Sequence, residues 1–235
     1  MGQRLNDACR ALLSSMIGAA AWGSNLRMRR RVDRFQANAD ALRRAYGVSA
    51  DTPIEVYGEG NTFHIGMVRM CTNTGTYLDV PFHRYADGHD LAGLALDRVA
   101  GVPAVCLDRR GVGAIDLSPA EVAGLAGHAV LVRTDHSAAW GTDGYFEAHP
   151  FLTASSASAL VAAGVACVGI DSLNIDSTAG PGRPVHTTLL AAEIPIIEHL
   201  TGLAALPAAG FTFTAVPPKV VGAGTFTVRA FATVP

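Results

Sequence analysis

The sequence predicts one mixed α/β domain, and three observations favour this fold class. Apolar runs of strand length occur at residues 103–108, 128–134 and 165–171, and the β-branched content of the last run is typical of a buried strand. Helix signals lie between these runs, and such alternation is expected of an α/β protein. Near the C-terminus, residues 210–216 and 224–234 alternate with period two, which predicts an antiparallel pair of strands.

The first 50 residues differ from the rest. Apolar residues recur at spacings of three and four from Val32 to Tyr46, as on one face of an amphipathic helix, and Gly47 follows as a stop signal. We therefore expect an atypical N-terminal helical segment over residues 1–58 and an α/β domain over residues 59–235.

Two further helix starts are predicted inside the domain. Ser118 and Glu121 have the spacing of a capping box, with Pro119 at the first helical position. Thr153 is a candidate N-cap for a second helix, and Gly164 is its candidate C-terminal stop.

The amino-acid composition and net charge exclude some classes of function. Hydrophobic residues make up 49% of the chain and charged residues 16%, with a net charge of −2. These values favour a globular protein and argue against a nucleic-acid binder, which would normally carry a basic face. The sequence has no run of 18 apolar residues and no C-x-x-C pair, so we expect no membrane span and reduced cysteines in a cytoplasmic protein. A small uncharged or anionic metabolite is the expected partner.

The stretch "NTGTYLDVPFHRY" at residues 73–85 is the strongest candidate for a site. Gly75 permits a turn and Pro81 fixes the backbone direction after Asp79. Asp79 and His83 lie four positions apart, and carboxylate and imidazole both bind divalent metals. Imidazole is also the usual general base near neutral pH.

A second group of polar residues lies further along the chain. His186 and Glu198 are twelve positions apart, and Glu198 ends the apolar run "IPII". A carboxylate in such a run is costly to bury unless a cation or a metal accompanies it. Asp171 follows a predicted buried strand, at an edge where α/β proteins often place sites. Trp140 could form one wall of a pocket.

Four separated blocks resemble one known family in the same order. "NTGTYLDVPFH" is similar to the signature His-x-Gly-Thr-His-x-Asp-x-Pro-x-His of the cyclase-like metal-dependent hydrolases, which include bacterial kynurenine formamidases and isatin hydrolase. "AHPFLTASSASALVAAGVACVGIDSLNID", "IIEHL" and "AVPPKVVGAGTFTVRAFA" resemble three later blocks of that family. The resemblance runs from about residue 60 to residue 234 and does not include the opening segment.

The resemblance implies a swivelling β/β/α architecture with a mixed sheet, in a homodimer or a larger homo-oligomer. It also implies that Asp79, His186 and Glu198 are metal ligands and that His83 is the catalytic histidine. Asn73 and Tyr77 stand where the family has two further ligand histidines. Asparagine oxygen is a weak donor for zinc, and tyrosine binds well only as phenolate. We therefore expect a single divalent ion, manganese or zinc.

The resulting hypothesis is a hydrolase that cleaves the C–N bond of a small amide, formamide or lactam, or that opens a lactone. His83 acts as the general base and Tyr77 as a catalytic hydrogen-bond donor. Substrate-binding roles are expected for Asn73, Phe82 and Trp140. The alternative is a metal-free small-molecule binder, lyase or isomerase that uses His83 and Tyr77 as an acid–base pair.

Overall fold

The computed structural model describes residues 54–55, 62–63 and 68–235. The helix predicted between Val32 and Tyr46 lies outside the described residues. A first compact unit ends at Cys71. Within it, strands β1 (Ile54–Glu55) and β2 (Thr62–Phe63) pair antiparallel.

The second unit, Thr72–Pro235, is built on one eight-stranded sheet and confirms the predicted α/β class. Its strands lie in the order β11–β3–β9–β8–β6–β4–β10–β12. Their bounds are β3 (Tyr77–Asp79), β4 (Val102–Asp108), β6 (Ala129–Arg133), β8 (Cys167–Ile170), β9 (Ile196–Glu198), β10 (Ala209–Thr214), β11 (Thr225–Thr227) and β12 (Phe231–Thr233). A separate short pair joins β5 (Ala114–Ile115) to β7 (Phe151–Leu152) in parallel.

The centre of the large sheet is parallel and its edges are antiparallel. Strands β4, β6, β8 and β9 pair in parallel, and each of the outer strands pairs antiparallel. The three apolar runs predicted as strands correspond to β4, β6 and β8. Strand β6 shows why they are uniformly apolar, because Leu131 packs into one core cluster while Val130 and Val132 pack into another on the opposite face.

The sheet is strongly curled. Strands β11 and β12 occupy opposite edges, yet only residues 228–230 separate them along the chain. Four residue steps span at most about 14 Å, whereas eight strands in a flat sheet would extend over about 34 Å. The sheet must therefore curve until its two edges approach each other.

Two helices cover one face of the sheet. Helix α1 (Ala154–Ala163) begins after Thr153, whose side chain accepts a hydrogen bond from the Ser156 amide, and ends at Gly164 in a left-handed conformation. Both predicted caps are confirmed. Helix α2 (Pro184–Ala191) begins with a proline, and both helices contribute to the same buried cluster. Within the described part of the chain, neither helix is long and apolar enough to cross a membrane.

The helix predicted after Ser118 is wrong. The capping-box contacts do form, since Glu121 Oε2 accepts hydrogen bonds from Ser118 N at 2.9 Å and from Ser118 Oγ at 2.8 Å. No helix follows, because Gly124 and Gly127 adopt φ angles of 80° and 70°, which no right-handed helix permits.

The predicted C-terminal pair is confirmed in part. Strand β10 pairs antiparallel with β12, as the period-two alternation indicates. Residues 225–227, from the same predicted run, instead form β11 and pair with β3 at the other edge of the sheet. This second pairing places Thr225 directly opposite Asp79.

Candidate metal centre

The site is assembled on strands β3 and β9, which are neighbours in the sheet. Antiparallel pairing places Tyr77 opposite Glu198. Asp79 follows two residues later on the same face of β3 and is fully buried. One of its carboxylate oxygens, Oδ1, accepts a hydrogen bond from Thr225. The other, Oδ2, is buried with no hydrogen-bond partner.

His186 faces this unpartnered oxygen. The imidazole lies on the first turn of α2, with Nε2 at 3.6 Å from Asp79 Oδ2 and at 3.7 Å from Glu198 Oε1. Burial alone would lower the pKa of His186, but the charge of Glu198 and contacts with Asp176 and Asp79 outweigh it and raise the pKa to about 10.

Asp176 holds the other side of the His186 ring. Its Oδ2 accepts hydrogen bonds from His186 Nδ1 at 2.7 Å and from the His186 amide at 2.9 Å. Its Oδ1 accepts from the Val185 amide at 2.8 Å. Asp176 thus caps the N-terminus of α2 and fixes the imidazole with Nε2 directed at Asp79 and Glu198. A carboxylate behind a ligand histidine is a common feature of metal sites.

Glu198 is held by two donors. The Ile175 amide donates to its Oε1 at 2.5 Å, and the Tyr77 hydroxyl donates to its Oε2. Burial raises the pKa of Glu198 to about 7, and the charge of Asp79 acts in the same direction while that of His186 opposes it.

Tyr77 is a hydrogen-bond donor rather than a phenolate. Burial, together with the charges of Glu198 and Asp79, raises the pKa of Tyr77 well above its usual value, and the Asn73 side chain opposes this shift. A protonated phenol is a poor metal ligand. The single hydroxyl hydrogen is directed at Glu198, so donation to a substrate oxyanion would require that bond to break.

His83 lies on the opposite side of Asp79. Its Nδ1 is 3.7 Å from Asp79 Oδ1 and 2.7 Å from the Thr225 hydroxyl. Its ring centroid is 5.9 Å from that of His186. The structure therefore brings together Tyr77, Asp79, His83, His186 and Glu198, all of which the sequence predicts as site residues.

The donor set fits a divalent cation. Ligand atoms on one tetrahedral zinc lie about 3.3–3.6 Å apart, because each bond is about 2.0–2.2 Å. The separations of 3.6 and 3.7 Å from His186 Nε2 to Asp79 and Glu198 are close to this range. Donor atoms of Asp79, His83 and His186 also lie within 4.8 Å of one another. A cation would partner the orphaned Asp79 Oδ2, whose isolated burial is otherwise costly.

Aromatic rings flank the cluster on the side of Tyr77. The His199 ring centroid lies 5.1 Å from that of Tyr77 and 5.6 Å from that of Trp140. Tyr145 and His199 are joined by a hydrogen bond of 2.7 Å between the hydroxyl and Nδ1. Trp140 remains half exposed, so it can contact a bound molecule. Phe82 instead packs against the apolar core beneath the site.

Sequence reasoning missed three residues of this region: Asp176, Thr225 and His199. For His199 the sequence offers no signal, and its unusual feature, a left-handed backbone with a φ of 56°, is visible only in the structure. Asp171, which the sequence also suggests, has a different surrounding. Its oxygens accept hydrogen bonds from Thr134 N, Thr134 Oγ1 and Asp135 N at 2.7–2.9 Å, so it stabilises the turn after β6.

The comparison with known families identifies the class. The model of a family described as putative cyclase matches residues 19–177, more than half of the chain, and the chain belongs to this family. The match begins inside the predicted N-terminal segment and includes residues 73–83. It ends before His186 and Glu198, so the placement of these two residues rests on the geometry above.

Individual relatives agree with this assignment. A kynurenine formamidase from Salinibacter ruber is 31% identical over 173 residues, which cover 72% of this chain and 80% of the relative. A kynurenine formamidase from Erythrobacter litoralis is 27% identical over 164 residues, which cover 69% of this chain and 74% of the relative.

Solved structures show the same fold. A potential metal-dependent hydrolase with cyclase activity is 30% identical, with a TM-score of 0.59 over 69% of this chain and 79% of that one. An isatin hydrolase bound to the product analogue thioisatinate is 22% identical, with a TM-score of 0.65 over 78% of this chain and 80% of that one. The second similarity concerns the fold alone.

Proposed function

We propose that this protein is a metal-dependent hydrolase that cleaves the C–N bond of a small amide, formamide or lactam. One observation carries the proposal: a buried carboxylate oxygen of Asp79 has no partner and faces Nε2 of His186. The membership in the cyclase family and the kynurenine formamidase relatives support the type of bond. The opening of a lactone uses the same chemistry at a carbonyl carbon.

Asp79, His186 and Glu198 would hold one divalent ion, and carboxylate with imidazole suits manganese or zinc. A bound ion of this kind supplies Lewis acidity at a carbonyl oxygen and lowers the pKa of water. Tyr77 and the Ile175 amide keep the Glu198 carboxylate in place, and Asp176 keeps His186 in place. Although His83 also has a donor atom within 4.8 Å of those of Asp79 and His186, we assign it to proton transfer rather than to the ligand set.

His83 carries the proton in this mechanism. The imidazole accepts a proton from the attacking water as the new C–O bond forms, and it returns the proton to the leaving nitrogen as the C–N bond breaks. General acid–base catalysis of this kind contributes about 10²–10⁴-fold to the rate.

The substrate would lie between the cluster and the aromatic rings. Trp140 offers an exposed aromatic face beside His199 and Tyr145, which suits a flat group attached to the scissile bond. Asn73 lies near the Tyr77 hydroxyl, and we propose that its amide binds a polar substituent. Phe82 packs against the apolar core, and its role in substrate binding stays a prediction.

A hydrolysis assay tests the proposal. Purified protein supplied with manganese or zinc should hydrolyse at least one of N-formylkynurenine, formanilide, isatin and a small aromatic lactone. His83→Ala should lower kcat about 10²–10⁴-fold. His128→Ala is the matched control, since His128 is partly exposed on the turn before β6 and its ring contacts the Ala126 carbonyl. No turnover with either ion, together with no bound metal, would favour the metal-free alternative.

We further propose that the protein is a cytoplasmic homodimer or larger homo-oligomer, as the family resemblance and the composition suggest. Light scattering coupled to size-exclusion chromatography measures the mass in solution. A mass equal to that of one chain would contradict the oligomer, and detection of the native protein outside the cytoplasm would contradict the location.

A further inference from the structure

The hydroxyl of Thr225 lies between the carboxylate of Asp79 and the imidazole of His83. Thr225 Oγ1 donates a hydrogen bond to Asp79 Oδ1 and lies 2.7 Å from His83 Nδ1. Thr225 is buried on β11, directly opposite Asp79. Sequence reasoning gave it no role, and neither the metal ligands nor the substrate wall includes it.

The position of this hydroxyl is fixed by the backbone. Gly224 lies so close to the chain at His83 that a Cβ at position 224 would be 2.6 Å from the His83 Cα and 2.8 Å from the Phe82 carbonyl carbon. The Val80 amide donates to the Gly224 carbonyl at 2.9 Å. The backbone just before strand β11 is therefore in direct contact with the turn at residues 81–83, which places the Thr225 hydroxyl beside His83.

A count of hydrogens assigns the protons in this group. A threonine hydroxyl has one hydrogen, and an ionised carboxylate can only accept. The hydroxyl hydrogen of Thr225 is directed at Asp79, so the oxygen of Thr225 can only accept from His83. Nδ1 of His83 must then carry a hydrogen, and Nε2 of the neutral ring has a free lone pair.

We propose that Thr225 is a positioning residue that holds His83 in the tautomer with Nδ1 protonated and Nε2 free to accept a proton. The inference rests on the proposed hydrolase function. Among the described residues, no group is hydrogen-bonded to Nε2 of His83. In the reaction, Nε2 takes the proton of the attacking water as the new C–O bond forms.

The opposing explanation is that Thr225 only stabilises the edge of the sheet. Two variants separate these explanations. Thr225→Val keeps the β-branched shape but places a methyl group where the hydroxyl joins Asp79 and His83, and carbon needs about 3.5–4.0 Å of separation. Thr225→Ser keeps the hydroxyl and should restore the arrangement.

Thr227→Val is a matched control on the same strand. The Thr227 hydroxyl donates to the Thr74 carbonyl at 2.7 Å and does not contact Asp79 or His83. The same substitution at position 227 therefore removes a threonine hydroxyl from β11 without disturbing the group at Asp79.

The first measurement needs no substrate. Nitrogen-15 NMR of the full chain labelled at histidine reports the tautomer of each neutral ring, and the His83 signals are assigned by their loss in His83→Gln. We expect protonated Nδ1 in the wild-type protein, in Thr225→Ser and in Thr227→Val, and loss of this preference in Thr225→Val. Protonated Nε2 in the wild-type protein, or an unchanged tautomer in Thr225→Val, would overturn the inference.

The second measurement connects the tautomer to the reaction. With formanilide as probe and the ion at saturation, Thr225→Val should lower kcat about 10²-fold or more with little change in KM, and Thr225→Ser should recover most of it. Equal losses in Thr225→Val and Thr227→Val would reduce Thr225 to a structural role. A wild-type protein that turns over no substrate would defeat the proposed function, while the NMR result would still decide the tautomer.

Discussion

Two buried aspartates, Asp171 and Asp79, show how the same side chain serves different ends in this fold. Asp171 follows β8, and both of its oxygens accept hydrogen bonds from the turn at residues 134–135. Asp79 ends β3, and one of its oxygens has no partner. A carboxylate that stabilises the fold uses its lone pairs within the fold, so the unused lone pairs of Asp79 indicate a ligand.

In the two histidines beside Asp79, one ring nitrogen is hydrogen-bonded within the fold and the other is not. Each has its Nδ1 occupied, His186 by Asp176 and His83 by Thr225. Each Nε2 is thereby left for the centre of the site. In both residues a hydrogen bond at Nδ1 orients the ring, while Nε2 has no hydrogen-bond partner among the described residues.

The largest expected effect comes from exchanging the two aspartates for asparagine in turn. Asp79→Asn should weaken manganese or zinc binding by more than about 10²-fold, since loss of a ligand exceeds the 10–100-fold cost of disturbing an outer partner. Asp171→Asn should leave metal affinity unchanged and lower the free energy of unfolding by about 1–3 kcal/mol, because a buried hydrogen-bond network is disrupted.

Isothermal titration calorimetry measures the affinities, and urea denaturation measures the stabilities. The contrast fails if Asp79→Asn binds the ion as tightly as the wild-type protein does. It also fails if Asp171→Asn loses the ion while remaining fully folded.

An intermediate effect is expected at Asp176. Asp176→Asn keeps an oxygen that can accept from the Val185 amide, but it replaces the acceptor of His186 Nδ1 with a weaker or mismatched group. Metal affinity should fall about 10–100-fold, measured by competition with a chelator. Asp171→Asn again provides the control, as a buried carboxylate on the same segment between β8 and α2. An unchanged affinity would show that His186 needs no such support.

A smaller, graded effect is expected from pH. The pKa of His186 is raised to about 10 without metal, so below that pH an ion must displace a proton from Nε2. Apparent metal affinity should therefore rise with pH, by up to about tenfold per unit. Calorimetry in buffers of different ionisation enthalpy counts the protons released, and no net release at neutral pH would exclude His186 as a ligand.

The raised pKa of His186 also makes the stability of the metal-free protein depend on pH, and this stability falls as pH rises. Because the folded pKa of His186 lies above its unfolded value of about 6.5, its contribution to stability is complete below that pH and is lost as pH rises through about 10. Thermal denaturation with chelator present should show a midpoint that falls over this range, and His186→Gln should remove part of the slope.

Local sequence signals predicted much of the fold. Strands β4, β6 and β8 and the caps of α1 depend on neighbouring residues, and the period of the sequence reveals them. The capping box at Ser118 shows the limit of this reasoning, since its hydrogen bonds form but two glycines with positive φ prevent a helix. Strand β11 was assigned to the wrong partner because alternation reveals a strand without revealing its neighbour.

The residues of the site also differ in how far the sequence predicts them. Carboxylates and imidazoles in apolar or turn-rich surroundings mark Asp79, His83, His186 and Glu198 as candidates, and the resemblance to the cyclase-like hydrolases implies their roles. Thr225 was not found, since threonine is an ordinary strand residue and its contact with Asp79 joins positions 146 residues apart. Asp176 did leave a signal, because an acid placed shortly before a helix that begins with proline is a natural acceptor for its first amides.

Metal content tests the central claim most directly. Protein purified without chelator, and Asp79→Asn prepared in parallel, can be compared by elemental analysis per mole of chain. We expect about one manganese or zinc per wild-type chain and almost none in the variant. A wild-type protein that holds no ion even after dialysis against both metals, or a variant that holds as much as the wild type, would contradict the assignment of Asp79 as a metal ligand.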